Sequence, residues 1–534
     1  MSKPLQEHVQ CPLCTTWVNG SLRTHILEVH GEAAFRKAVL ADKERGMSDP
    51  EIGERYGISF ATLEQFITEA YGANVSVLRR PRHLRRWQPS DFREETTTVW
   101  SFKQRGDWAT HHGYYRGNWS PYIPRNVILK YSQPGDTVLD YFVGGGTTAI
   151  EAKLLGRRCI ARDINPDAIS MTLESLEFSP PRTFLDDAGW PVYEPEVHVG
   201  DARDLSDIPA NSIDLICAHP PYAGIIQYSV KIAGDLSGLS VQDFLTEMGK
   251  VARESWRVLK PGGKCAILIG DARRSKHVVP IGFKTIRVFL DAGFALRELV
   301  IKRQHNCRTT GFWYTRSIQH NFLLLAHEYL PIFEKPVVHR LGERGVFLEH
   351  ALPRQITWDQ VRETGQENLE TTTVWIFPRD RLDAEIKRNL LGRFALPGNR
   401  FGEMHFAGDH AYHAALPFGR DIQLLYVHSP RQLSGEIFAN YRIACKGVME
   451  EASELLSSDG FLVLETVDFR SGNDLIPVAL LLSEDMASCE DFDLKEIIIV
   501  VPEEAPRDGQ KGYLDIVHRY LLVYARRKAR GGRA

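Results

Sequence analysis

Short apolar runs alternate with segments of helical periodicity through the middle of the chain. Apolar runs typical of buried strands cover residues 137–141, 159–163, 212–218 and 264–269. A segment with the periodicity of a helix, residues 147–155, lies between the first two runs. Because alternating strands and helices are typical of a doubly wound sheet, residues 94–335 are predicted to form an α/β domain.

Two motifs follow these apolar runs and carry candidate chemistry. The first run ends in Asp140-Tyr141-Phe142-Val-Gly144-Gly145-Gly146-Thr147, a glycine loop that opens the predicted helix. Glycines there allow a ligand to approach the backbone closely, and the following helix start offers free amides. Asp163 ends the second run, where an acidic side chain accepts hydrogen bonds from ribose hydroxyls in dinucleotide folds. We expect Asp140 to meet an ammonium group of the ligand and Asp201 to meet an adenine amine.

The second motif, His219-Pro220-Pro221-Tyr222, ends the third run. Two prolines rigidify the turn and remove N–H donors. The imidazole of His219 and the carbonyl of Pro220 can accept hydrogen bonds from an aromatic amine, which frees the lone pair of its nitrogen. Tyr222 offers a flat face on which a flipped base can stack. The alternative reading is a structural turn at the end of a strand.

Together, these motifs resemble the amino-methyltransferase family of DNA methylases. The segment from Gly117 to Asp136, with Asn118, Trp119 and Ser120, is similar to the family's cofactor-tail motif, and 259–263 is similar to its turn before a late strand. The resemblance implies a Rossmann-like fold that binds S-adenosylmethionine and transfers its methyl group to N4 of cytosine or N6 of adenine. It also implies that residues 219–222 are catalytic. The family usually has Asp, Asn or Ser where this chain has His219, and the uncharged imidazole slightly favours cytosine N4.

The C-terminal part, residues 336–534, repeats the earlier patterns. Glu95-Thr-Thr-Thr-Val-Trp100 recurs as Glu370-Thr-Thr-Thr-Val-Trp375, and the strand that ends in His219 resembles one that ends in His428. The interval from Trp375 to His428 is about half of the interval from Trp100 to His219. The sequence therefore predicts a degenerate second methyltransferase-like copy without the cofactor loop. It predicts either a monomer with an internal pseudo-dimer or a homodimer.

The N-terminal residues carry a different pattern. Cys11 and Cys14 are separated by two residues, and His25 and His30 follow on a predicted helix that Ser21 caps. This spacing is close to that of a zinc finger, so residues 1–31 are predicted to bind structural zinc. The alternative is a short amphipathic helix with incidental cysteines. Residues 32–75 resemble a helix-turn-helix with helix starts at Ser48 and Ser59, and residues 76–93 are predicted to be a basic linker.

Composition limits the class of protein. The chain has 534 residues, 43% of them hydrophobic and 25% charged, as in globular proteins, and no apolar run approaches the ~20 residues of a membrane span. Eight scattered cysteines and an N-terminus without an apolar signal region indicate a reducing compartment, which we expect to be cytoplasmic. The net charge of −3 gives no global signal for nucleic acid, so any DNA-binding surface must be local.

These observations favour a site-specific DNA methyltransferase acting on double-stranded DNA, in a restriction-modification or defence setting with a possible partner nuclease. Two alternatives remain open. One is a DNA-binding regulator with an inactive methyltransferase scaffold, and the other is an RNA methyltransferase.

Overall fold

The computed structural model describes residues 9–18, 20–71, 86–113, 115, 117–180, 189–222, 232–305, 309–337, 354–361, 369–406, 421–430, 433–503 and 512–527. It divides into two compact units. The first holds residues 1–93, 102–263 and 306–315, and the second holds residues 94–101, 264–305 and 316–534. Within the described ranges, every helix is too short or too polar to cross a membrane. Most of the predicted basic linker, residues 76–85, lies outside the described residues.

The helices of the described residues are α1 (Leu22–Glu44), α2 (Asp49–Tyr56), α3 (Phe60–Tyr71), α4 (Tyr122–Tyr131), α5 (Thr147–Leu154), α6 (Pro166–Leu176), α7 (Val241–Val258), α8 (Ile281–Asp291), α9 (Thr309–Gln319), α10 (Leu382–Phe394), α11 (Gly435–Leu455) and α12 (Val478–Met486).

The strands of the described residues are β1 (Val9–Gln10), β2 (Trp17–Val18), β3 (Val99–Ser101), β4 (Thr137–Asp140), β5 (Arg158–Asp163), β6 (Glu196–Val199), β7 (Ile213–Ala218), β8 (Leu259–Ile267), β9 (Ile269–Gly270), β10 (Ala272–Arg274), β11 (His277–Val279), β12 (Ala295–Arg303), β13 (His327–Glu334), β14 (Arg354–Gln360), β15 (Val374–Phe377), β16 (Arg400–Phe406), β17 (Ile422–Val427), β18 (Leu456–Thr466), β19 (Phe469–Ser471), β20 (Asp474–Ile476), β21 (Phe492–Pro502) and β22 (Arg519–Arg526). The predicted strands are present, but β8 begins at Leu259, earlier than the predicted residue 264 and within the predicted turn.

The N-terminal helices begin at the residues that the sequence indicates. The Ser21 hydroxyl accepts a hydrogen bond from the amide of Thr24 and caps α1. Ser48 and Glu51 form a capping box at the start of α2, and Ser59 accepts from the amide of Thr62 at the start of α3. Each cap satisfies amide groups that the first helical turn leaves without partners, and so fixes where the helix starts.

One hydrophobic core holds the whole N-terminal part together. Buried side chains of the predicted finger, among them Leu22 and Ile26, cluster with Phe35 on the continuation of α1 and with Tyr56 and Phe66 on α2 and α3. The backbone of α1 is broken at Gly31, where φ is 81°. The predicted boundary at residue 31 is therefore a kink inside one packed module and not a boundary between separate cores.

The first unit contains parallel strands in the order β6-β5-β4-β7, followed by β8. Helix α5 connects β4 to β5, and α6 follows β5. A parallel sheet with helical crossovers that starts in the middle and winds outward is the Rossmann-like arrangement predicted from the motifs. Strand β8 runs from the first unit into the second, where the order continues as β8-β13-β12-β3 with β13 antiparallel to both neighbours.

A second sheet in the second unit has a strand order like that of the first sheet. Its order is β14-β16-β17-β18-β22-β21-β15. The run β18-β22-β21-β15 matches β8-β13-β12-β3 in order and direction, and β16 pairs in parallel with β17 as β4 pairs with β7. Antiparallel β14 lies beside β16, at the position that β5 has beside β4. Among the described residues the second copy has no counterpart of β5 or β6.

Within the second unit the two copies contact each other through equivalent residues. The guanidinium of Arg273, on β10, pairs with Glu496 of β21 at 2.5 Å, and Arg470, on β19, pairs with Glu298 of β12. Arg273 also donates to the carbonyl of Leu323, and Arg470 to the carbonyl of Leu514. Glu298 and Glu496 are fully buried, so each carboxylate depends on the arginine of the other copy.

Two further pairs repeat the same reciprocity. The Thr98 hydroxyl lies 2.9 Å from Nδ1 of His518, and the Thr373 hydroxyl lies 2.9 Å from Nδ1 of His327. The repeated Thr-Thr-Thr-Val-Trp segments supply both threonines. Contacts of this kind, in which each copy offers the same surface to the other, are isologous, as in a two-fold symmetric dimer.

These contacts group the chain differently from the predicted domains. The sequence predicts that the first copy ends at residue 335, yet residues 264–305 of that copy belong to the same compact unit as the second copy. The reason is that β12 packs against the hairpin of β19 and β20, and β21 packs against the hairpin of β10 and β11.

The reciprocal ion pairs predict unequal costs for two arginine substitutions in the second unit. Arg470→Ala leaves buried Glu298 without its cation and should lower the free energy of unfolding by about 3–5 kcal/mol. Arg287→Ala removes the half-exposed pair with Glu484 and should cost at most about 1 kcal/mol. Urea unfolding of the full chain measures both. Equal shifts of the unfolding midpoint would contradict a structural role for the buried pair.

Candidate active site

Parallel pairing brings the predicted motifs to one edge of the first unit. Strand β4 pairs with β5 through Asp140 and Ala161, and with β7 through Leu139 and Ile216. Because these strands run in the same direction, the glycine loop, Asp163 and His219 all follow carboxyl ends at the same edge. Ligands bind at this edge in open α/β sheets.

A cavity opens at this edge. Nine of the predicted residues line it, and they come from five separate segments of the chain: Asn118, Trp119, Tyr141, Phe142, Gly144, Asp163, Asp201, His219 and Pro221.

The other predicted residues lie behind this lining, and several hold it in place. The Ser120 hydroxyl donates to the carbonyl of Arg105 at 2.7 Å, and the Thr147 hydroxyl donates to Oδ1 of Asn118 at 2.5 Å. Asp140 is buried and accepts from the amide of Phe142 at 3.0 Å. Gly145, Gly146 and Pro220 are also outside the lining, and Tyr222 contacts His219. The expected contact of Asp140 with an ammonium group therefore stays a prediction.

The glycine loop is packed against an aromatic ring that the sequence reasoning missed. A Cβ atom at Gly144 would lie 2.7 Å from the ring of Tyr115, and one at Gly145 would lie 2.9 Å from the Cβ of Tyr115. Gly144 also has a φ of 52°. Both positions therefore require glycine, because a side chain would displace Tyr115 from the cavity wall.

Asp163 is held by two backbone amides. Gly144 N donates to Oδ2 at 3.0 Å, and Asn165 N donates to Oδ1 at 2.9 Å. Burial raises the pKa of the Asp163 carboxyl to about 6, against the effect of these amides. Burial likewise raises the pKa of Asp140 to about 7. In the cavity, the carboxyl group of Asp163 is therefore held in one orientation, ionises close to pH 6, and has lone pairs left for a ligand.

Asp201 reaches the cavity as a member of an ion pair. Arg203 donates to it from its backbone amide at 2.9 Å and from its guanidinium at 2.6 Å. Burial opposes ionisation, but the hydrogen bonds from Arg203 outweigh it and lower the pKa of Asp201. Asp235, which the sequence reasoning also missed, lines the cavity and accepts from the amide of Ser237. The only local signal for Asp235 is its position as a cap before a short helical turn.

His219 and Tyr222 form a contact pair at the end of β7. Nε2 of the imidazole lies 2.9 Å from the Tyr222 hydroxyl, and the ring stacks on Trp119 with a centroid separation of 5.5 Å. The first and last positions of the predicted catalytic motif are therefore linked to each other. Trp119, predicted as a cofactor residue, therefore contacts the first residue of that motif.

A buried carboxylate anchors the segment that carries these walls. Glu151 of α5 accepts from Trp108 Nε1 at 2.6 Å and from Arg125 at 2.8 Å, and it lies 2.6 Å from Nε2 of His111. Arg105 then donates to the carbonyls of residues 118 and 119 at 2.6 and 2.7 Å. No sequence motif indicates either anchor, since their partners are distant along the chain.

The predicted zinc ligands also come together in the first unit. Cys14 Sγ lies 3.4 Å from His25 Nε2, and Cys11 Sγ lies 3.8 Å from His30 Nε2. Zinc bond lengths of about 2.3 Å to sulfur and 2.0 Å to nitrogen require separations of about 3.6 Å in a tetrahedron. All four ligand atoms lie within 4.8 Å of one another, so the cluster fits a zinc ion.

Comparison with known proteins shows what part of this chain is similar to. Residues 63–174 match the family model described as DNA methylase. A type II methyltransferase of Methanothermobacter thermautotrophicus is 28% identical over 156 residues, which are 26% of this chain and 44% of that protein. A tRNA (guanine(10)-N2)-dimethyltransferase of the same species is 33% identical over 133 residues, which are 25% of this chain and 34% of that protein.

A solved structure of an S-adenosylmethionine-dependent methyltransferase from Methanosarcina mazei aligns with 18% identity and a TM-score of 0.28 over 40% of this chain and 97% of that protein. The chain spans less than half the length of the two curated relatives. The matching family model covers the glycine loop and the strands on either side of it. The part of this chain that carries the glycine loop is similar to the DNA methylase family.

Proposed function

We propose that this protein transfers a methyl group from S-adenosylmethionine to the exocyclic amine of a base in double-stranded DNA. The observation that carries the proposal is one cavity that is lined both by the glycine loop with Asp163 and by His219, whose imidazole contacts Tyr222. A cofactor site and a base site in such contact are what direct methyl transfer requires.

The cavity residues fit the cofactor. Asp163 offers lone pairs to ribose hydroxyls, Asp201 can accept from an adenine amine, and the backbone at Gly144 allows close approach. S-adenosylmethionine supplies an electrophilic methyl group on a sulfonium. The residues of this chain would position that group and shield it from water.

The base side of the cavity uses His219, Pro220, Pro221 and Tyr222. The ring of Tyr222 would stack on a flipped base, and the Pro220 carbonyl and the His219 imidazole would accept the two amine hydrogens. Acceptance of both hydrogens frees the nitrogen lone pair for attack on the methyl carbon. An imidazole in place of a carboxylate is nearer to the serine of cytosine-N4 enzymes, so we propose cytosine N4 as the target.

The proposed setting is restriction-modification or another defence system with a partner nuclease, which the name of the type II relative supports. The reciprocal contacts in the second unit support a monomer in which the second copy takes the place of a partner subunit. A transfer RNA substrate is the second candidate, because the dimethyltransferase relative matches a quarter of this chain.

Substitutions of Tyr222 test the proposal directly. Tyr222→Ala removes a stacking face worth about 1–3 kcal/mol and should lower methyl transfer to DNA about 10- to 100-fold. Tyr222→Phe keeps the face but loses the hydrogen bond with His219, so its loss should be smaller. Transfer from labelled cofactor to duplex DNA and to transfer RNA measures the rate and identifies the substrate.

Calorimetry with S-adenosylmethionine is the control for that experiment. Both Tyr222 variants should bind one cofactor per chain with an affinity within about twofold of the natural protein. A parallel fall in affinity and rate would refute the assignment of Tyr222 to the base. Transfer to RNA without transfer to DNA would favour the second candidate.

The raised pKa of Asp163 predicts how cofactor affinity depends on pH. The ionised carboxylate is the better acceptor for ribose hydroxyls, so affinity should rise as pH increases through about 6 and level off above it. The charge of neighbouring Asp235 adds to the effect of burial. Calorimetry between pH 5 and 8 measures the trend, and Asp163→Asn should remove the part near pH 6, which leaves any part due to Asp140 near pH 7. An unchanged profile in the Asn variant would exclude Asp163 as the titrating group.

We propose that the Cys11, Cys14, His25 and His30 cluster binds structural zinc that stabilises the N-terminal module for DNA binding. Cys14→Ser should release one zinc equivalent and weaken DNA binding, while methyl transfer at saturating DNA persists. Cys489→Ser is the matched control, since Cys489 is a partly exposed thiol outside the cluster. Metal analysis and DNA titration give the readouts. Equal zinc content in the Cys14 and Cys489 variants would exclude the finger.

A further inference from the structure

A second cluster of metal-ligating side chains lies in the degenerate copy. Strands β16, β17 and β18 are parallel neighbours, with Met404 beside Val427 and Val427 beside Leu464. The residues that follow these positions are His405, His428 and Glu465. They stand at the same edge of the second sheet at which the candidate active site stands in the first copy. His428 occupies the position that His219 has after β7.

The ligand atoms of this cluster converge. Glu403 Oε1 lies 3.3 Å from His428 Nε2, and the rings of His405 and His428 are stacked with a centroid separation of 4.0 Å. One ligand atom from each of Glu403, His405 and His428 lies within 4.8 Å of the others. A zinc ion with bonds of about 2.0 Å to nitrogen and oxygen needs separations of about 3.3 Å, which the Glu403–His428 distance matches.

A second layer of side chains orients these groups. Glu465 accepts at the other ring nitrogen of His428, 3.3 Å from Nδ1, and receives hydrogen bonds from Tyr426 at 2.9 Å and Arg519 at 2.8 Å. Lys387 donates to Oε2 of Glu403 at 2.5 Å, so Oε1 is the oxygen that faces His428. A carboxylate on the remote nitrogen of a histidine is the usual support of a metal-ligating imidazole, because it fixes the ring and raises its basicity.

We propose that Glu403, His405 and His428 bind a divalent transition-metal ion of the zinc class. Two imidazoles and one carboxylate are the donor set that such ions prefer, and three protein ligands leave a coordination position for water or a further ligand. His405 is exposed and the side chains of Glu403 and His428 are 18% and 17% exposed, so an ion can reach the site from solvent. The degenerate copy thus keeps a ligand-binding edge, with a metal where the first copy has its nucleoside cavity. This inference does not depend on the proposed methyl transfer.

The test uses the full chain with the N-terminal cysteines removed. In a Cys11→Ser, Cys14→Ser background, calorimetry with Zn²⁺ should still show one site per chain. His405→Ala should weaken that binding at least tenfold, and Glu403→Gln should do the same. His320→Ala is the matched control, since His320 is an exposed histidine outside the cluster.

The second layer gives an independent readout. Glu465→Gln should weaken Zn²⁺ binding about 10- to 100-fold although Glu465 is not itself a ligand. Thermal melting of each variant without metal shows whether it folds, and exposed His405 is the substitution least able to disturb packing. Co²⁺ in the Cys11→Ser, Cys14→Ser background should give a visible spectrum without thiolate-to-metal charge transfer.

The proposal is overturned if the Cys11→Ser, Cys14→Ser chain binds no Zn²⁺. It is also overturned if folded His405→Ala and Glu403→Gln bind Zn²⁺ as tightly as the His320→Ala control. In either case the cluster is an ion-pair network in which His428 bridges Glu403 and Glu465.

Discussion

Parallel pairing of strands at one sheet edge is the constraint on which the candidate chemistry depends. Strands β4, β5 and β7 end together, so a glycine loop, an acidic residue and a Pro-Pro-Tyr turn that are far apart in the chain surround one cavity. The same constraint acts on β16, β17 and β18, where it gathers Glu403, His405, His428 and Glu465. The carboxyl ends of the parallel strands in the two sheets therefore hold two different sets of side chains.

Buried charges keep the walls of these sites in place. Glu151 ties the segment around Trp108 to helix α5, and the carboxylate is satisfied only because Trp108, His111 and Arg125 converge on it. Burial disfavours its charged form, yet Arg125 and His111 outweigh that cost and lower the pKa of Glu151. An arrangement with this many obligatory partners resists partial opening, because loss of one partner leaves a charge buried.

The second copy lacks counterparts of β5 and β6 among its described residues and keeps the strands that face the first copy. Arg273 and Arg470 each reach a buried glutamate of the other copy, and Thr98 and Thr373 each reach a histidine of the other copy. Loss of one residue of a pair would leave the buried polar group of the other residue without that partner. This reciprocity explains why the contact residues are found in both copies.

The sequence by itself determined the local elements and the identity of the motifs. Strands β4, β5 and β7, helix α5, the caps at Ser21, Ser48 and Ser59, and the repeat follow from patterns within a few residues, where periodicity and turn chemistry act. Tertiary structure alone decided which motif residues line the cavity. Asp140 and Ser120 hydrogen-bond to the backbone, and Thr147 hydrogen-bonds to Asn118. Tyr115 and Asp235, which no motif indicated, line the cavity. It also merged the finger with the following helices, moved the domain boundary, and formed the Glu403 cluster. Each of these outcomes depends on partners distant in the chain, and no local pattern encodes which distant side chains will share a buried space.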